Sequence, residues 1–134
     1  MPYKNGKPQV LIAEDDRFLG NVLKTKIQQE GFDVRLVADG EEALAQINAA
    51  PPDILLLDVI MPKKNGFDVL AELRLKKGGT DIPVIILSNL GQEDDVKRGL
   101  ALGAIDFLVK SDHSLQEVVN KVKIYAASAV GVRK

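Results

Sequence analysis

"ILLLDVIMP" (residues 54–62) sets four aliphatic residues directly ahead of one aspartate. A short run without polar alternation reads as a strand covered on both faces. An unpaired carboxylate aimed into such a core would be strongly disfavoured. Asp58 must therefore face something other than the core, and the rest of the chain has to supply it.

Four similar runs surround this one: "QVLIA" (9–13), "DVRLVA" (33–38), "PVIIL" (83–87) and "IDFLV" (105–109). The run at 33–38 alternates more than the others, which predicts an edge position. Helical patterns separate the runs. Residues 16–30 align Leu19, Val22, Leu23 and Ile27, with Gly31 as the stop. Asp39 with Glu42, and Ser114 with Glu117, have capping-box spacing. Leu44 and Ile47 point inward in the second helix. Phe67, Leu70 and Leu73 mark the third, stopped by Gly78-Gly79. Val96 and Leu100 mark the fourth, closed by Gly103. Leu115, Val118, Val122 and Tyr125 stripe the last.

Five β–α units predict a parallel sheet with helices on both faces. The expected fold is a flavodoxin-like, doubly wound α/β (βα)5 domain with strand order 2-1-3-4-5. A Rossmann half is the alternative, but "EDDR" rather than G-x-G-x-x-G follows the first run. One domain is expected over 1–134, with its core at about 8–128. The 134 residues are 46% hydrophobic, carry a net charge of -1 and include no cysteine. Disulfides and cysteine-based zinc sites are thereby excluded. No basic stripe for direct nucleic-acid binding is seen; Lys63-Lys64 and Lys76-Lys77 read as solvated surface pairs. No apolar stretch approaches the roughly 20 residues of a membrane span, and the start has no signal-peptide core. A cytoplasmic protein is expected.

Sheets of this order bind ligands beyond the carboxyl ends of the strands, where the order reverses. Glu14-Asp15-Asp16 follow the first run, Asp58 the third, Ser88 the fourth and Lys110 the fifth. Asp58 thus faces a polar crevice. Clustered carboxylates without His or Cys favour a hard divalent ion, and Mg²⁺ suits a small open site. Lys110 and Ser88 add an ammonium and a hydroxyl, so the matching anion is a phosphoryl group. Asp58, in the middle, is the candidate acceptor. Each residue alone has a plainer reading. The acidic triplet can cap a helix, and Ser88 and Lys110 can be ordinary surface groups.

As a set, "VLIAEDD", "DILLLDVIMPKKNGFDVL", "PVIILSN" and "GAIDFLVKS" resemble the response-regulator receiver domains of two-component signalling, over residues 8–128. The resemblance implies Asp58 as phosphoacceptor. It implies Glu14 and Asp15 as the acidic pair, with Asp15 the direct Mg²⁺ ligand and the carbonyl of Ile60 a further one. Ser88 and Phe107 become the switch pair, Lys110 the phosphoryl partner, and Pro62 and Gly66 the turn after the phosphorylated strand. A sensor histidine kinase or histidine phosphotransfer protein would donate to Asp58. Ser88 would then draw inward, Phe107 would rotate in, and a surface for a downstream target protein would change.

This sequence departs from the family pattern at three places. Ser111 follows Lys110 where a cis-joined proline is usual, and cis bonds away from proline are rare. Asn89 stands where a small residue is usual, and Phe107 lacks the hydroxyl of tyrosine. Ile60 and Leu90 would flank the phosphoryl group and offer nothing to orient water, which predicts slow self-dephosphorylation. Two other classes compete. A haloacid-dehalogenase-type phosphatase would carry an aspartate at position 60. A phosphorylation-independent scaffold would not need the full set. His113, the single histidine, reads as incidental.

Overall fold

The computed structural model describes residues 6–76 and 81–133, with side chains through 127. Five strands, β1 (Gln9–Ala13), β2 (Asp33–Val37), β3 (Ile54–Leu57), β4 (Val84–Ser88) and β5 (Asp106–Val109), alternate with five helices. These are α1 (Arg17–Gln29), α2 (Gly40–Ala49), α3 (Gly66–Leu75), α4 (Glu93–Ala101) and α5 (Leu115–Arg133). All strand pairs are parallel, in the order β2-β1-β3-β4-β5. The expected fold is therefore the observed one, and the alternating run at 33–37 is an edge strand. The Gly78-Gly79 stop expected for α3 lies outside the described residues.

Local chemistry ends the helices where the sequence places the signals. Asp39 caps α2 by accepting from Glu42 N at 2.7 Å. Ser114 and Glu117 form a reciprocal capping box at 3.0 and 3.1 Å. Gly31 and Gly103 take φ +96° and +102° after α1 and α4, conformations that side chains disfavour.

The sheet splits the core into two leaves. Leu23, Ile27, Val118 and Val122 of α1 and α5 meet Val10, Ile54 and Ile85 on one side. Leu44, Phe67, Leu70 and Leu73 of α2 and α3 meet Leu11, Leu55 and Ile86 on the other. Full burial of one such side chain is worth about 1.5–3 kcal/mol. One expectation fails in α4. Val96 packs half-buried against the core as expected, but Leu100 is 46% exposed, and the buried residue of the helix is Gly99.

The ladder continues past the ends of the strands. Asp58 N donates to Ala13 O at 2.9 Å, and Glu14 N donates to Val37 O at 3.0 Å. The backbones of both acids are thus held by the sheet while their side chains project beyond it.

Candidate phosphoryl and metal site

The polar residues at the strand ends meet at one rim. Lys110 Nζ lies 2.7 Å from Glu14 Oε1 and 3.0 Å from Asp58 Oδ2. Carboxylate oxygens of Glu14, Asp15 and Asp58 all lie within 4.8 Å of one another. Glu14 and Asp58 are buried, at 3% and 4% exposure, and Asp15 is exposed. Asp58 therefore has a partner: a lysine shared between two buried carboxylates.

The helix-cap alternative applies to one residue of the acidic triplet. Asp16 caps α1, accepting from Leu19 N at 3.1 Å. Glu14 accepts from Asp16 N with one oxygen and reaches Lys110 with the other. Chain geometry separates three like residues into a cap, a buried acid and an exposed acid.

Burial pushes the Glu14 carboxyl up to about 7. Lys110 opposes that shift, while the charge of Asp58 adds to it. Burial pulls Lys110 down, but its hydrogen bond to Glu14 and the charge of Asp58 outweigh this and raise it. The lysine stays charged while Glu14 exchanges its proton near neutrality. A raised carboxyl binds more protons folded than unfolded. Its stabilising contribution is thus fully present below the ordinary value of 4.5 and is lost as pH rises through about 7. A divalent cation held by these carboxylates would have the opposite dependence, because it would have to displace that proton. Below pH 7 apparent Mg²⁺ affinity should fall by up to about tenfold per pH unit. Calorimetry at pH 6 and pH 8 checks this, and equal affinities would remove Glu14 from the site.

Ser88 is fully buried, and its Oγ accepts from Leu90 N at 3.3 Å. Ile60 N donates to Asp58 Oδ1 at 3.3 Å, while the Ile60 side chain is 56% exposed. Phe107 is buried, at 8% exposure. Lys110 reaches both acids with a trans peptide after it; among the described residues no peptide is cis. His113 Nδ1 lies 3.4 Å from Glu117, on the helix side of this loop.

In the loop after β3, Lys63 is exposed as expected, whereas Lys64 is half-buried. Lys63 adopts φ 68° and lies 3.7 Å from Asp39, and Lys64 pairs with Glu72 at 2.6 Å. A Cβ on Gly40 would sit 2.1 Å from Lys64 O, and one on Gly66 would sit 2.3 Å from Asp58 O. Gly40, Gly66 and Gly99 were not read from sequence as close-packing positions. Their signal was a glycine inside or opening a helical pattern, where conformational cost argues against it.

The family model of the response regulator receiver domain matches residues 10–123. This chain belongs to the response regulator receiver family. It is 44% identical over 115 residues to the transcriptional regulatory protein CpxR of Klebsiella pneumoniae subsp. pneumoniae (strain HS11286), covering 86% of this chain and 47% of the relative. The chain thus spans about half the length of that curated relative. The receiver domain of the Francisella response regulator 1452 superposes with a TM-score of 0.84 at 35% identity, covering 91% of this chain and 98% of that one. The Mn²⁺-bound form of response regulator Rcp1 superposes with a TM-score of 0.76 at 27% identity, covering 87% and 91%. The receiver is accordingly a two-component signalling domain. Among its described residues, no helix is long and apolar enough to cross a membrane.

Proposed function

We propose that this receiver accepts a phosphoryl group on Asp58 from the phosphohistidine of a sensor kinase or phosphotransfer protein, and so switches a surface that binds a downstream target protein. The observation that carries this reading is the convergence of Glu14, Asp15, Asp58 and Lys110 at one rim. Three carboxylates against one ammonium leave two formal negative charges, which suits a divalent cation. The donors are all oxygen, so Mg²⁺ fits, held by Glu14, Asp15, Asp58 and the carbonyl of Ile60. The Mn²⁺-bound neighbour supports a divalent ion in this fold. When bound, the ion supplies neutralising charge to phosphoryl oxygens.

The chain's own residues do the rest. An Asp58 carboxylate oxygen attacks phosphorus, a P–O bond forms and the P–N bond to imidazole breaks. The departing imidazole nitrogen takes a proton from solvent. Lys110, already beside Asp58, balances the charge that moves outward onto the phosphoryl oxygens. Ser88 turns its hydroxyl from the Leu90 amide toward the new anion, which pulls on the loop ahead of α4. The domain modifies itself and turns over no other substrate. An aspartate at position 60, expected of a dehalogenase-type phosphatase, is replaced by Ile60. The Klebsiella relative is named a transcriptional regulatory protein. For this chain we propose a protein contact, not direct nucleic-acid binding, as the immediate output, in the cytoplasm.

Acetyl phosphate with Mg²⁺ should give one phosphoryl adduct, mapped by mass spectrometry to the peptide carrying Asp58. Chelation of the metal should prevent it. An adduct elsewhere, or none, would defeat the proposal.

The lifetime of that adduct follows from two side chains. Ile60 is half exposed beside Asp58, and Leu90 is half-buried and packed on the core. Neither can orient an attacking water. Ile60→Asn with Leu90→Glu should speed loss of the phosphoryl group by about tenfold or more, since positioned polar groups contribute on that scale. Equal decay rates in both proteins, followed by phosphate release, would refute it.

A further inference from the structure

Among the described residues, β5 ends the sheet with no strand on its outer side. An open edge is a template for pairing with another chain. The two edges of this sheet are protected differently. β2, "DVRLV", carries Asp33 and Arg35, whereas β5, "DFLV", carries one charge, Asp106. Ile105, just ahead of β5, adds an apolar side chain that is 40% exposed. The register shows which amides of β5 are open. Leu55 N of β3 donates to Pro83 O, so odd-numbered groups at β4 face β3 and even-numbered ones face β5. Ile86 therefore bonds toward β5, and Phe107, opposite it, turns its own N–H outward. That N–H is not bare: it donates to Asp106 Oδ1 at 2.8 Å. The other oxygen of the same carboxylate meets α5, accepting from Tyr125 Oη at 2.9 Å and lying 3.4 Å from Lys121 Nζ. The bond to Asp106 raises the Tyr125 phenol above its ordinary value, so it stays a donor across the neutral range. One half-buried carboxylate thus closes the middle of the edge and is itself held by the neighbouring helix.

We propose that Asp106 guards the β5 edge: its carboxylate occupies the outward amide of Phe107 and keeps β5 from pairing with the β5 of a second copy of this chain. The excluded partner is a copy because two identical edges meet antiparallel about a two-fold axis and need no other complementary surface. Pairing across that axis would demand the Phe107 amide. It would also bring two Asp106 carboxylates into one narrow seam, where like charges repel. Tyr125 and Lys121 keep the guard in place from α5. None of this depends on chemistry at Asp58.

Asp106→Val removes both the acceptor and the charge and inserts a good strand former. Sedimentation velocity over a range of concentrations should show self-association about tenfold or more tighter than in the wild type. Hydrogen exchange then tells edge pairing from general stickiness. The Phe107 amide of the variant should exchange fast when dilute and slowly as the copies pair. A folded variant that associates no more than the wild type would overturn the proposal. So would association that leaves Phe107 exchange unchanged with concentration. The wild-type protein supplies a test that needs no stable valine variant. Its Phe107 amide proton resonance should move as Asp106 ionises, and Asp106→Asn, which keeps an acceptor oxygen without the titration, should abolish that movement. A Phe107 amide indifferent to Asp106 in the wild type would remove the guard.

Discussion

Asp58→Asn is expected to lose the phosphoryl adduct completely while retaining the fold. The amide has nearly the shape of the carboxylate, and its oxygen can still accept from Ile60 N, as Asp58 Oδ1 does at 3.3 Å. Glu14 keeps Lys110 at 2.7 Å, so the buried cation retains a counter-charge. What disappears is the nucleophile, because a neutral amide oxygen cannot form the acyl phosphate. A second readout makes the substitution more informative. The charge of Asp58 and its hydrogen bond both raise the Glu14 carboxyl. Removing them should bring Glu14 down from about 7, and the pH window in which it exchanges its proton should move to lower pH. Carboxyl NMR titration follows that directly. An adduct that persists in the variant would place the acceptor elsewhere, and an unmoved Glu14 would break the coupling between the two acids.

Gly66→Ala should be the most destabilising single-methyl substitution in the loop that follows β3. Its Cβ would lie 2.3 Å from Asp58 O and 2.8 Å from Val59 Cα. Both obstacles are backbone, and Asp58 is tied to the ladder through Ala13 O, so neither can step aside cheaply. Overpacking typically costs about 1–3 kcal/mol, and this contact belongs at or above the top of that range. The helix preference of alanine over glycine returns only about 1 kcal/mol. Urea unfolding should show a lower midpoint with an unchanged slope. A midpoint at or above wild type would mean that α3 can back away from the acceptor strand.

Much of this architecture was legible because parallel strands announce themselves. Continuous aliphatic runs such as "ILLL" admit few readings, and the strand bounds fall within one residue of those expected. The rim was legible for a related reason: in a sheet of known order, the residue after each strand has a known neighbourhood. What stayed hidden depended on absence or on fine geometry. Hydrophobic periodicity put Leu100 inward because it cannot register Gly99, a contact made by a residue without a side chain. It could not divide the work among Glu14, Asp15 and Asp16, which differ only in where the turn into α1 aims them. Nor could it foresee that Lys64 would pair with Glu72 across the acceptor loop and α3.

The ladder bonds made by the Asp58 and Glu14 amides have a kinetic corollary. The main chain beneath the reacting acid is immobilised once, during folding, so its entropy is not lost again at each encounter with a donor. Arrival and departure of the phosphate can then recur many times on an unyielding anvil, with memory of the event stored only in the lighter parts above it.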